Sequence, residues 1–135
     1  MKLKNGIIAG TLALVVAGVA SVSYGATQQE LCKKMWGPFQ ELRKVTGLME
    51  SGQMDGAKTA AQGKAILEDA TTSRDSVAVD ENYKVLNGEV IFHAEGIVKG
   101  GEAGDLEEIQ VQFRRLTIAC RNCHKIYQSE RRLVP

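Results

Sequence analysis

Cys120-Arg121-Asn122-Cys123-His124 is the part of this 135-residue chain whose residue types and spacing are most specific for one chemistry. Two thiols three positions apart, followed at once by an imidazole, form the attachment pattern of a c-type haem. The thiols can each close a thioether on one vinyl group of the same porphyrin, and His124 then stands where it can bind the iron as proximal ligand. Thioethers keep such a cofactor from dissociating, and the group on the iron's opposite face decides what the metal does.

Two other uses of Cys-x-x-Cys compete with that one. A thioredoxin-like redox pair sits in a strand-to-helix turn of a βαβ unit, and no such pattern surrounds residue 120. A structural zinc site needs four ligands, here Cys32, His93, Cys120 and Cys123, and the first two lack any paired spacing. The histidine directly after the second cysteine, with an export signal at the other end of the chain, favours haem. A four-helix protein that keeps its cysteines free is the structural alternative.

Residues 1–25 read as a secretory signal peptide. Lys2 and Lys4 make a basic start, Gly6 to Val22 is a run of apolar and small residues, and Ser23-Tyr24-Gly25 precedes the expected cleavage point before Ala26. The remainder, 26–135, is one domain in length and has no second apolar stretch long enough to span a bilayer, so the expected location is the periplasm. The chain's 17 Lys and Arg against 16 Asp and Glu give +1, and loss of Lys2 and Lys4 takes this to −1. A near-neutral balance without a basic stripe gives no case for nucleic acid. Of the three cysteines, Cys32 is left over, either available for an intermolecular disulfide or, as expected of a lone Cys on a helix, buried as a small apolar side chain.

Helices must position these groups, because apolar residues recur at helical spacing and no alternating strand stands out. The first is predicted over Gln28–Met49, with Leu31, Met35, Leu42, Val45 and Met49 on one stripe and Pro38 kinking or splitting it. Ser51-Gly52-Gln53 ends it. The second runs from about Met54 to Ala70, with Ala57, Ala61, Ala65, Ile66 and Leu67 available for packing, and a polar loop follows from Thr71 to Ser76. The third spans about Glu81 to Val98 with Tyr83, Leu86, Val90, His93 and Ile97 inward, broken by Gly100-Gly101 and Gly104. The fourth starts on Asp105-x-x-Glu108 and carries Ile109, Phe113, Leu116, Cys120, Cys123 and Tyr127 on its apolar stripe. Short connections make neighbours antiparallel, an all-α up-down-up-down four-helix bundle with the haem among facing side chains.

Gly104-Asp105-Leu106, Phe113, Cys120-Arg121-Asn122-Cys123-His124 and Tyr127 together resemble the C-terminal signature of cytochrome c prime and the other class II cytochromes c. The match is close over residues 104–127; over the first three helices only order, length and apolar spacing agree. The resemblance implies an exported, often dimeric, antiparallel bundle with one covalent haem c on its last helix. Arg121, Phe113 and Tyr127 of the signature, with Cys32 and Met35 of the first helix, are the expected further haem contacts. Gln128 stands where the family commonly has Arg or Lys. The family also sets one apolar side chain of the first helix over the iron. Matching Phe39 and Leu42 to the family's Phe and Leu brings Cys32 to that place, whereas the apolar stripe points to Met35.

The iron's second face stays open between several groups. Met35 as ligand makes a six-coordinate electron carrier, whereas Met35 as packing leaves a five-coordinate iron under an apolar pocket that takes small gases such as nitric oxide or carbon monoxide. His93 would give bis-histidine ligation, or in a peroxidase-like enzyme the distal acid–base group. Cys32 would have to ionise in an apolar setting. Arg121, Lys125, Arg131 and Arg132, near the haem end, suit an acidic redox partner of the cell envelope or a solvated helix face.

Overall fold

The computed structural model describes residues 27–48 and 54–127, and over these the chain is four helices with no strand: α1 (Gln28–Leu48), α2 (Gly56–Ser76), α3 (Glu81–Ala103) and α4 (Leu106–Tyr127). The expected signal peptide, Met49, the Ser51-Gly52-Gln53 stop and Gln128 onward lie outside the described residues.

Each start is fixed by a side chain that satisfies orphan amides. Thr27 and Glu30 form a reciprocal capping box on α1, the Glu30 amide donating to Thr27 Oγ1 at 3.2 Å and the Thr27 amide to Glu30 Oε2 at 2.7 Å. Asp55, Asp80 and Asp105 accept from the amides of Lys58, Tyr83 and Glu108 at 3.1, 2.7 and 3.0 Å. The Asp105-x-x-Glu108 start is therefore half of the expected box, since Glu108 takes its bond from Gln112 Nε2 instead. Gly104 closes α3 with φ of 69°, a left-handed conformation in which glycine carries no Cβ penalty, and its amide reaches back to Gly100 and Gly101.

Three expected boundaries differ. Pro38 neither ends nor divides α1, which stays helical on both sides. Lys34, whose carbonyl loses its helical donor, is exposed, so water can supply the bond. The expected loop at Thr71–Ser76 is helix, held by buried contacts: Ser73 pairs with the Tyr83 hydroxyl, and Asn87 Nδ2 donates to the Ala70 carbonyl at 2.7 Å. The packing face of α2 is accordingly Thr59, Ala60, Gly63, Ile66, Ala70 and Ser73, while Ala57 and Ala61 point to solvent. Gly100-Gly101 does not break α3 either. A Cβ on Gly101 would lie 2.8 Å from both the Gly56 oxygen and the Ala60 nitrogen, so this pair is where α2 and α3 touch backbone to backbone.

Helices α2 and α3 share the largest contact, α4 packs on α3 and α1 on α2, while α1 and α4 barely meet. A core of Leu42, Ile66, Ala70, Val90, Ala94, Ile97 and Leu116 lies between the four. No helix among the described residues is long and apolar enough to cross a membrane.

Candidate functional site

The least-packed seam contains a cleft. It is lined by Cys32, Met35, Trp36 and Phe39 of α1, Ile66 of α2, Tyr83, Asn87 and Val90 of α3, and Cys120, Cys123 and His124 of α4. Its empty space, counted out to open solvent, is about 600 Å³. A helix sets residues three apart on one face, which is why Cys120 and Cys123 arrive in the same cleft.

Both thiols are free, as is Cys32. Burial pushes the Cys120 thiol up to about 12 and that of Cys123 up to about 11. Burial raises Cys32 as well. All three are therefore neutral near pH 7, poor as thiolate ligands and as unassisted nucleophiles. Polar lining groups are mostly spoken for within the protein: Tyr83 by Ser73 and Asn87 by the Ala70 carbonyl.

His124 is the exception. Its Nδ1 is the one buried side-chain nitrogen or oxygen among the described residues without a hydrogen-bond partner. Burial lowers its pKa, so the ring is held neutral with a lone pair to give. An unmet buried group costs about 1–3 kcal/mol, and such a cost persists where a ligand supplies the missing partner. Two neutral thiols and a neutral imidazole around an apolar hollow fit a flat apolar cofactor that bonds covalently to sulfur and through its metal to nitrogen. The residues present thus suit haem.

No protein-family model matches the chain, and no curated protein sequence does either. The resemblance of residues 104–127 to class II cytochromes c rests on those residues themselves.

Five of the expected site residues meet in the cleft: Cys120, Cys123, His124, Met35 and Cys32. Phe113, Arg121 and Tyr127 do not line it. Phe113 sits behind it, its ring 5.3 Å from that of Phe39. Tyr127 meets Tyr83 edge-on at 5.1 Å and donates from its hydroxyl to Asp80 Oδ1 at 2.7 Å. Arg121 is exposed. His93 belongs to a different hollow between α3 and α4, with Leu86, Glu89, Arg115, Ile118, Ala119 and Asn122. Its Nδ1 pairs with Gln112 Oε1 at 2.7 Å, so neither bis-histidine ligation nor a distal acid–base role finds it in place. Zinc finds no site, since no three His, Cys, Asp or Glu among the described residues gather to hold a metal ion. The Cys-x-x-Cys pair also lies within a helix rather than at a strand-to-helix turn.

Trp36, Ile66 and Asn87 also line the cleft and were not read as site residues. Asn87 carried a usable signal: a polar residue on the Tyr83–Val90 stripe of α3, where an apolar one is expected.

Proposed function

We propose that the chain is a class II c-type cytochrome of the cell envelope, carrying one haem c and acting in electron transfer. Cys120 and Cys123 would hold the haem through thioethers, with His124 as proximal iron ligand, on the last helix of an antiparallel up-down-up-down bundle. The observation that carries this reading is the meeting of both thiols with His124, bearing an unpartnered buried nitrogen, in one apolar cleft. Antiparallel order is supported by contacts that run in opposite directions along neighbours: Asn82 of α3 with Tyr127 of α4 near one end, and Gly100 with Ile109 near the other. Export is supported by the apolar N-terminal run after Lys2 and Lys4.

Bound haem supplies a metal that gains and loses one electron reversibly. The chain's residues set the conditions for that change. Trp36, Phe39, Ile66 and Val90 give the cleft an apolar wall, and an apolar setting limits solvent reorganisation around a bound group. His124 offers a neutral nitrogen at neutral pH because burial opposes its protonation. Lys125, exposed one residue beyond it, and Arg121, exposed three before, suit an acidic redox partner.

A second reading follows from the α1 wall. Cys32 is held neutral and Met35 is the other sulfur there, so the wall contains no nitrogen base. With Met35 as a ligand the iron is six-coordinate; with Met35 as packing, the pocket admits small neutral gases such as nitric oxide or carbon monoxide. Absorption spectra of the reduced protein before and after carbon monoxide test both. Sharp low-spin bands that ignore the gas support the Met35-ligated carrier, whereas high-spin bands that shift at once support the gas-binding reading. A reduced spectrum with no haem bands overturns both.

A further inference from the structure

The chain has three tyrosines. Tyr24 lies outside the described residues, and the other two touch: Tyr83 and Tyr127 meet edge-on with ring centroids 5.1 Å apart. Tyr83 is 2 % exposed and lines the α1–α4 cleft, whereas Tyr127 is half-buried at the end of α4 and does not line it. The pair therefore runs from the cleft towards the surface as two rings in contact. Aromatic rings in contact pass single electrons readily, because tunnelling falls off steeply with distance.

The two hydroxyls are partnered differently. That of Tyr83 is bonded to Ser73, a neutral hydroxyl. That of Tyr127 donates to Asp80 Oδ1 at 2.7 Å and accepts from Asn82 Nδ2 at 3.1 Å. Asp80 is exposed and ionised at neutral pH, its carboxyl being held below the ordinary range first by the Tyr127 hydroxyl. Loss of an electron makes a phenol a strong acid, so the electron leaves most easily where a base stands ready for the proton. A carboxylate is such a base and a serine hydroxyl is not. An oxidising equivalent that reaches Tyr83 thus moves on and comes to rest at Tyr127.

We infer that Tyr83 and Tyr127 form a one-electron relay that carries oxidising equivalents from the cleft to the surface, with Asp80 as the proton acceptor. The relay rests on the haem reading for its oxidant, hydrogen peroxide reacting at the haem. One electron passes from Tyr127 through Tyr83 to the oxidised haem, which is reduced by one electron. The O–H proton of Tyr127 moves to Asp80 Oδ1, leaving a neutral tyrosyl radical. A small reductant such as ascorbate restores Tyr127 by giving it a hydrogen atom, and Asp80 returns its proton to solvent. Two such rounds supply the two electrons and two protons that turn one hydrogen peroxide into two waters.

Freeze-quenched electron paramagnetic resonance of the haem-loaded protein mixed with hydrogen peroxide tests this. A neutral tyrosyl signal is expected, and Tyr127→Phe should abolish it. Tyr83→Phe, which keeps the ring packing, and Asp80→Asn, which keeps an N-cap on α3, should each lower its yield severalfold. All three variants should keep the resting haem spectrum. The inference is overturned by the absence of any radical, by a radical on Trp36 instead, by a tyrosyl signal that persists in Tyr127→Phe, or by a yield unchanged in Tyr83→Phe or Asp80→Asn. Colourless protein would sink the haem reading separately. The outer end of the relay is then read with a photo-oxidised ruthenium complex in solution, which should oxidise Tyr127 severalfold faster in the parent than in Asp80→Asn. Equal rates there overturn the relay as well.

Discussion

The two flanks of α4 each hold a hollow with a histidine, and the histidines are handled in opposite ways. His93, in the α3–α4 hollow, is buried and answered: Gln112 Oε1 accepts from Nδ1, Gln112 is held in turn by Glu108, and Nε2 faces Glu89. His124, in the α1–α4 cleft, is half-buried, and its buried Nδ1 is unanswered. A closed hydrogen-bond chain needs nothing from outside, whereas an orphaned nitrogen in an apolar hollow is open to a further partner. The two regions separate a histidine whose bonds are met within the fold from one that the proposed reading assigns to a ligand.

Substitution of the two rings should separate them most widely. His124→Ala is expected to abolish the native spectrum of the reduced protein while leaving the helices in place. His93→Ala should keep that spectrum and cost about 1–3 kcal/mol of stability, because Gln112 is left buried without its partner. Denaturant midpoints and absorption spectra of the two variants check this, and a spectral loss in His93→Ala would dissolve the distinction.

The far end of the bundle sharpens the contrast between open and closed packing. Gly101→Ala must fit a Cβ between the Gly56 oxygen and the Ala60 nitrogen, and is expected to lose about 1–3 kcal/mol by overpacking. An alanine accepted without loss in urea denaturation would mean that the α2–α3 contact is looser than described.

The pH response of a haem-free Cys120→Ala, Cys123→Ala variant adds a smaller effect. His124 is lowered in the folded state, so the unfolded chain binds its proton more readily. Its contribution is then fully present above the unfolded value, about 6.5, and is lost as pH falls through that value toward the folded one. Adding His124→Leu should flatten the slope in that window, as measured by thermal melting between pH 5 and 8.

Tyr127→Phe should have the least effect. The exposed Asp80 carboxyl is held below its ordinary range first by the Tyr127 hydroxyl and then by the Tyr83 amide. Its titration, followed by NMR, should move up without change in the haem spectrum. A spectral change would draw Tyr127 into the cleft.

The placement of the candidate site was most legible where it is local. Cys120, Cys123 and His124 are consecutive on one helical face, so their meeting follows from helix geometry alone, and the capped start of α4 is read from Asp105. The boundaries of α2 and α3 were not legible, because they depend on partners remote in sequence. Thr71–Ser76 has the composition of a loop and is helical because Tyr83 and Asn87 satisfy its buried polar groups. Gly100-Gly101 looks like a break and is a close contact with Gly56 and Ala60. Trp36 and Ile66 enter the cleft through the relative placement of helices, which no single stripe encodes.

Intact-protein mass, followed by the mass of the peptide bearing residues 120–124, tests the covalent haem most directly. The account predicts one haem added through two thioethers, with pigment that stays on the protein in acidified acetone. Colourless protein, or pigment that extracts and leaves both thiols free, would contradict it.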